Sequence, residues 1–141
     1  MVKKIKGFTL LELLIVIGLI GILIAVSVTS YGTIQKKARD SRRQSDLKAL
    51  QNAFEQYYAD KKGIYPKQGT DITSVTTYLP AGLPVDPKNT GTYVYTLTYD
   101  GVNGATYCAC ALLEGTTTGG NATDTACAFG SGSYYCVKNL Q

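Results

Sequence analysis

The first half of the sequence is dominated by an apolar run near its start. Between Phe8 and Val28, 21 residues include only three polar side chains, Thr9, Glu12 and Ser27. A helix rises about 1.5 Å per residue, so this run reaches across a bilayer core of roughly 30 Å. A secretory signal peptide is the simplest alternative, with small residues near 25–27 as its cleavage site. The run is longer than a usual signal sequence, and an acid inside it is typical of a functional position, so a membrane-spanning helix is favoured.

After Val28 the chain becomes polar but keeps a helical period. Apolar side chains recur at steps of three and four at Leu47, Leu50, Phe54 and Tyr57, which predicts one buried stripe. Proline is absent until Pro66, so one helix is expected from Phe8 to Lys62, ended by Gly63 and Pro66. The stripe is expected to be extended by Ala38, Ala49 and Ala53, and the residues expected to face solvent are Arg42, Arg43, Lys48 and Glu55.

The C-terminal part alternates in the manner of strands. Residues 64–90 hold all four prolines and predict an irregular loop. Strands are predicted at 92–99, 105–113 and 133–138, with a turn at 100–104 and a Gly/Thr/Ser loop at 115–132. Three antiparallel strands that cover the helix stripe would make an α+β fold, a long N-terminal helix packed on a small antiparallel sheet.

Composition excludes many enzyme classes. The chain has 141 residues and no histidine, so imidazole bases and histidine metal ligands are excluded, and no paired-carboxylate or nucleophile motif is present. We therefore expect a protein that is not an enzyme and has no cofactor. The net charge is +4, with a basic cluster at Arg39, Arg42 and Arg43. That cluster is able to contact DNA phosphates or anionic lipid, but a solvated helix face is favoured.

All four cysteines, Cys108, Cys110, Cys127 and Cys136, lie in the last 34 residues. Two disulfides in an oxidising compartment are favoured over a four-thiolate zinc site, because paired Cys-x-x-Cys spacing is missing. Cys108 and Cys110 are about 7 Å apart on one strand face, too far to bridge each other. Cys108 therefore pairs with Cys136 and Cys110 with Cys127, or the reverse. The first pairing is preferred, because the hairpin residue nearer the loop is expected to meet the loop cysteine.

The start of the apolar run resembles a known export signal. Residues 6–12, KGFTLLE, are similar to the class III signal of type IV pilins and pseudopilins. Further stretches, at 37–40, 53–58 and 63–66, are similar to pseudopilins, and those at 83–87 and 93–95 to the major pseudopilin of type II secretion. One position departs from the pattern, since Thr29 stands where many pilins have a proline that marks local helix melting.

The resemblance implies a processing pathway. A membrane aspartyl peptidase would cut after Gly7 and N-methylate Phe8, which leaves 11 basic and 10 acidic groups. Implied partners are this prepilin peptidase, an inner-membrane platform protein, a cytoplasmic assembly ATPase and further copies of the chain. The implied domains are a leader (1–7), a transmembrane and filament-core half-helix (8–29), an amphipathic half-helix (30–62) and a disulfide-bearing cap domain (63–141).

Glu12 has a physical role in this scheme. A carboxylate in hydrocarbon must be protonated or find a cation, and no Lys or Arg lies between Phe8 and Gln35. An amine exposed on Phe8 would lie one helical turn away in the same chain, or within reach in a neighbouring chain. Phe8 and Glu12 are therefore expected to act in filament assembly, the alternative being a protonated acid without a role.

Three functions remain open on this basis. The preferred one is a pilin polymerised into a type IV pilus or pilus-like filament at the cell surface, held first in the cytoplasmic membrane. Basic residues flank both ends of the apolar run, so the disulfides decide its orientation, with the C-terminus outside. The alternatives are a pseudopilin of a type II secretion or DNA-uptake system, and a monomeric exported or membrane-anchored binding module. Adhesion, motility, DNA binding, and glycosylation at Asn121 stay open.

Overall fold

The computed structural model describes residues 7–67, 73–99, 103–115 and 119–141. Its elements are helix α1 (Leu10–Asp60), a 3-10 helix (Val75–Tyr78) and strands β1 (Thr96–Tyr99), β2 (Tyr107–Leu112), β3 (Gly120–Ala122), β4 (Phe129–Gly132) and β5 (Tyr134–Lys138). The predicted α+β arrangement, a long N-terminal apolar helix followed by an antiparallel sheet, is confirmed. The chain divides into two compact units between Gln35 and Lys36.

The first unit is an exposed apolar helix segment. The window Leu10–Ser27 has a mean hydropathy of 2.8, and none of it is buried. By length and composition this segment is able to cross a membrane, a test that a signal sequence near the N-terminus also passes. Within the described part of this unit, these apolar side chains are exposed.

The second unit is built on the predicted stripe of α1. Leu47, Leu50, Phe54 and Tyr57 are buried, as the three- and four-residue steps predicted. Of the three alanines only Ala53 is buried. The prediction for Ala38 and Ala49 is wrong, because both methyl groups lie on the exposed face.

One face of the sheet covers this stripe. Tyr107, Ala109 and Ala111 of β2 alternate along the strand toward the helix, together with Val137 of β5. The ring of Phe54 meets Tyr107 edge to face, with 4.6 Å between ring centroids. The other face of the sheet carries the cysteines.

The sheet has five antiparallel strands in the order β1-β2-β5-β3-β4. The three predicted strands are present, with the first shortened to Thr96–Tyr99. β3 and β4 lie in the segment predicted as a loop. Here Gly120 and Gly132 let backbones approach closely, since a Cβ on Gly120 would collide with the Tyr134 carbonyl and one on Gly132 with the Ala122 carbonyl. The glycines that indicated a loop are thus what the strand pairing requires.

The helix ends where its glycine predicted. Lys62 and Gly63 have φ of 58° and 83°, and the Gly63 N–H donates to the Tyr58 carbonyl at 3.0 Å. The following segment is held by the Tyr65 N–H, which donates to the Gly104 carbonyl at 2.8 Å. Of the predicted turn at 100–104, residues 100–102 lie outside the described part.

Candidate functional site

The predicted cleavage motif lies immediately before α1. Gly7, Phe8 and Thr9 precede the first helical residue, Leu10, and the Phe8 side chain is 78% exposed. The Leu13 N–H donates to the Thr9 carbonyl at 3.2 Å, which makes Thr9 the N-cap. The peptide bond between Gly7 and Phe8 is therefore outside the helix and open to solvent.

Glu12 has a partner that sequence analysis missed. The Thr9 N–H and the Thr9 hydroxyl donate to Glu12 Oε2 at 2.9 and 2.7 Å, and the Glu12 N–H donates to Thr9 Oγ1 at 3.2 Å. This is the capping box of a Thr-x-x-Glu sequence, and the spacing itself was the signal. These hydrogen bonds supply no cation, so the pairing of Glu12 with an amine on Phe8 stays a prediction.

Two residues of the basic cluster on α1, Arg39 and Arg43, belong to an ion network with acidic side chains. Arg43 has no exposed surface. Its Nε and Nη2 donate to the two oxygens of Asp86 at 2.7 and 3.0 Å, and Nη1 donates to Asp40 at 2.7 Å. The same Nη1 lies 2.9 Å from an oxygen of Glu114. Three acids thus surround one guanidinium, two of them from far along the chain.

Arg39 extends this network toward the surface. Its Nε and Nη2 donate to both oxygens of Glu114 at 2.7 and 2.6 Å. Asp40 in turn accepts the backbone N–H groups of Glu114 and Gly115, each at 2.9 Å. These bonds fasten the chain that follows β2 to the helix. The solvated-face prediction holds only for Arg42, whose side chain is 68% exposed and 3.8 Å from Asp46.

The network shifts the pKa of its members. Burial opposes the charge on Arg43, but its hydrogen bonds to Asp86, Glu114 and Asp40 outweigh that cost and raise its pKa. The hydrogen bond from Arg39, with a further one from Arg43, lowers the pKa of Glu114 to about 2. Arg43 and Glu114 are therefore held in their charged forms. Because the arginines are occupied by these acids, the network serves the fold rather than phosphate binding.

Glu55 is a second acceptor on the helix. It receives the Tyr65 hydroxyl at 2.9 Å and the Leu140 N–H at 3.0 Å. Burial and this hydrogen bond raise the pKa of Tyr65 to about 12. Tyrosines elsewhere reach Asp46 and Asp60 in the same way, from Tyr95 and Tyr78. Cross-links between the helix and the cap thus account for part of the high tyrosine content.

The cysteines form two disulfides, Cys108–Cys127 and Cys110–Cys136. The preferred pairing of Cys108 with Cys136 is therefore wrong. Its assumption was that β2 and the last strand behave as a hairpin, whereas the β2–β5 register places Cys110 directly opposite Cys136. The segment between β3 and β4 places Cys127 beside Cys108, at the start of β2. All four sulfurs lie within 4.8 Å of one another, the spacing that a zinc site would also need.

The possible glycosylation position, Asn121, is engaged in the sheet. Its Nδ2 donates to the Cys136 carbonyl at 2.9 Å, and its Oδ1 accepts the Cys136 N–H at 2.7 Å. The side chain thus replaces part of the backbone ladder between β3 and β5. Its amide nitrogen is used for structure in the folded domain.

Comparison with known proteins confirms the resemblance. Residues 2–28 match the family described as prokaryotic N-terminal methylation motif. The chain is 38% identical over 56 residues to the type IV major pilin protein PilA of Myxococcus xanthus, covering 40% of this chain and 26% of that protein. It is 40% identical over 65 residues to the type IV major pilin protein PilE of Neisseria gonorrhoeae, covering 46% and 38%.

The chain is also similar to proteins of type II secretion systems. The type II secretion system core protein G of Escherichia coli is 36% identical over 72 residues, covering 51% of this chain and 49% of that protein. The chain thus spans half or less of the length of these curated relatives. No solved structure matches it. The matched part of the chain is similar to type IV pilins and to type II secretion core proteins.

Proposed function

We propose that this chain is a prepilin, a structural subunit that is cleaved after Gly7, N-methylated at Phe8 and polymerised into a type IV pilus or pilus-like filament. The observation that carries the proposal is the fully exposed apolar window Leu10–Ser27, which directly follows the Gly7–Phe8 motif. The exposed apolar side chains of this window suit a subunit whose helix is covered by lipid or by other copies of the chain.

The apolar segment requires two successive environments. Large side chains such as Leu10, Leu14 and Ile22 are 88%, 67% and 66% exposed. Burying one such side chain is worth about 1.5–3 kcal/mol, so the segment does not remain in water. Before assembly the bilayer covers it, and in the filament the helices of other copies do. Contacts of this head-to-tail kind do not close, and they generate open helical polymers.

Glu12 links processing to assembly in this proposal. In the unprocessed chain its carboxylate is held by Thr9 at the helix start. Cleavage after Gly7 creates an amine on Phe8, close to the capping box. That cation neutralises Glu12 of the same or an axially displaced chain, which sets the stagger between subunits.

The proposed function includes a membrane topology, a set of domains and a set of partners. Both disulfides lie in the C-terminal unit, so that unit resides outside the cytoplasm, first at the membrane and then on the surface filament. The domains are the leader (1–7), the filament-core half-helix (8–29), the amphipathic half-helix (30–62) and the cap (63–141). Prepilin peptidase, a platform protein and an assembly ATPase act on the chain.

A pseudopilin of a type II secretion or DNA-uptake system is the second candidate. The match to core protein G, at 36% identity over 72 residues, favours it. Both candidates share the same processing and the same filament chemistry, and they differ in filament length. Electron microscopy of material sheared from cells separates a long surface pilus from a short pseudopilus. A monomeric binding module would give neither.

Mass spectrometry of the mature protein tests the processing step. We expect the mass of residues 8–141 with one added methyl group on Phe8. A mature start at Ser27 or later, or an intact residue 7, would refute it. A Gly7→Leu variant should remain uncleaved, whereas a Gly18→Leu control, whose site has open space for a side chain, should be processed normally.

The assembly step is tested separately with Glu12→Gln. This variant keeps a group that accepts hydrogen bonds from Thr9 but cannot pair with an ionised amine. It should be cleaved and methylated as before, yet give fewer sheared filaments. Normal filament yield from a cleaved Glu12→Gln protein would show that the acid is not needed for assembly.

A further inference from the structure

The two disulfides differ in their access to solvent. Cys110 and Cys136 are 0% and 1% exposed, and they join β2 to β5 in the interior of the sheet. Cys108 and Cys127 form the other disulfide, and Cys127 is only half-buried. Cys110–Cys136 is therefore the inner disulfide and Cys108–Cys127 the outer one. Exposed disulfides are the ones that exchange readily with thiols.

A cleft leads to the outer disulfide. Cys108 and Cys127 line an open cavity of about 780 Å³ whose lining is mixed, with polar residues such as Thr98 and Lys138 and apolar ones such as Tyr99 and Leu140. Cys110 and Cys136 are not among the residues that line it. The cavity is wide enough for a small thiol, and its hydroxyl, amide and ammonium groups suit a polar one.

The backbone at Cys127 also favours opening. Its φ is 59°, in the left-handed region that side-chain-bearing residues rarely adopt. The surrounding turn is held independently, because Asp124 Oδ1 accepts the N–H groups of Ala126 and Ala128 at 2.9 and 3.2 Å. Opening the disulfide therefore leaves the turn around Cys127 in place.

We propose that Cys108–Cys127 is a thiol-exchange site, opened by a small polar thiol that enters this cleft while Cys110–Cys136 stays closed. The incoming thiolate attacks Sγ of Cys127 and forms a mixed disulfide there. The bond to Cys108 breaks, and its electron pair leaves with Cys108 as a thiolate. A second thiol then displaces Cys127, so that the protein disulfide is reduced and two small thiols are oxidised to one disulfide.

Lys138 adds a positive charge to the cleft. It stands opposite Cys108 in the β2–β5 register and lines the same cleft. An ammonium group in the cleft favours thiolate formation there. Attack on Cys127 is also the more accessible route, since Cys108 is 8% exposed.

The consequence is a change confined to one surface segment. The Cys108–Cys127 disulfide attaches the segment between β3 and β4 to β2, whereas the inner disulfide joins β2 to β5. Exchange would therefore release this segment from the sheet and place a small group on Cys127, with the helix-facing core intact. The site does not depend on the N-terminal motif.

Oxidised full-length protein in detergent, titrated with reduced glutathione, tests the proposal. Free thiols are trapped with N-ethylmaleimide, and the modified residues are assigned by tandem mass spectrometry. We expect glutathione on Cys127 and maleimide on Cys108 at thiol concentrations roughly tenfold below those that label Cys110 or Cys136. Equal labelling of both pairs, or earlier labelling of the inner pair, would overturn it.

A pair of double variants supplies the control. Cys108→Ser with Cys127→Ser should stay folded, with thermal unfolding close to that of the parent, and should take up no glutathione. Cys110→Ser with Cys136→Ser should unfold at lower temperature. If the first double variant unfolds as easily as the second, the outer bond is structural and the proposal fails. Uptake of glutathione by the first variant would also contradict it.

Discussion

Replacing Arg43 with methionine should destabilise the C-terminal unit strongly. The change keeps the length of the buried side chain but removes the only guanidinium that contacts Asp86 within the described residues. Asp86 is 4% exposed, so its charge would be left without its partner. Removing one member of a buried ion pair typically costs about 3–5 kcal/mol, and we expect the free energy of unfolding to fall by about that amount.

Urea unfolding measures this effect. The full chain in detergent is monitored by near-ultraviolet circular dichroism of its tyrosines, whose signal depends on packing in the C-terminal unit. With a slope of about 1–3 kcal/mol/M, the midpoint should fall by roughly 2 M. An unchanged slope would confirm that the loss lies in stability and not in the compactness of the unfolded chain.

The neighbouring arginine is the matched control. Arg42 is 68% exposed and 3.8 Å from Asp46, so Arg42→Met should cost only about 0–1 kcal/mol. Adding Asp86→Leu to Arg43→Met should recover part of the loss, because an apolar side chain replaces the unpaired carboxylate. If Arg43→Met is no more destabilising than Arg42→Met, the buried network does not hold the domain as argued.

Three further results are expected. The pKa of Glu114 is lowered from its usual 4.5 to about 2, so stability present above pH 4.5 should be lost as pH falls toward 2. Between pH 4.5 and 2 the melting temperature should fall less in Glu114→Gln than in the parent protein. An identical fall in both proteins would show that Glu114 does not cause this loss of stability. Gly132→Ala should lower the melting temperature because its methyl group meets the Ala122 carbonyl, whereas Gly130→Ala, with its nearest atom at 3.8 Å, should not. Thr9→Val should remove the cap and weaken the first helical turn by about 1 kcal/mol, seen as faster amide hydrogen exchange there, whereas Thr9→Ser should preserve it.

Periodic patterns predicted the helix and its buried stripe well. The steps from Leu47 to Tyr57 place side chains on one face in any helix, and the structure buries that face. Gly63 likewise ends the helix, because its left-handed backbone conformation is one that glycine adopts easily. These features depend on local geometry, so they were accessible from the sequence.

The errors concern partners that are distant in sequence. An arginine on a helix usually faces solvent. Arg43 is buried because Asp86 and Glu114, which are distant in sequence, contact it in the folded domain. The disulfide pairing likewise depended on which strand lies beside β2, a long-range fact. The capping box was different, because Thr9 and Glu12 are three residues apart and the motif was visible in the sequence.

The order of strands has a consequence for how the domain is made. β5 lies in the centre of the sheet, yet it is the last strand in the sequence. During synthesis the helix emerges first. The complete sheet cannot cover its apolar stripe until Tyr134–Lys138 has been made, because β2 and β3 both pair with that strand. A chain truncated before residue 134 lacks the strand with which β2 and β3 both pair, so it cannot form this sheet.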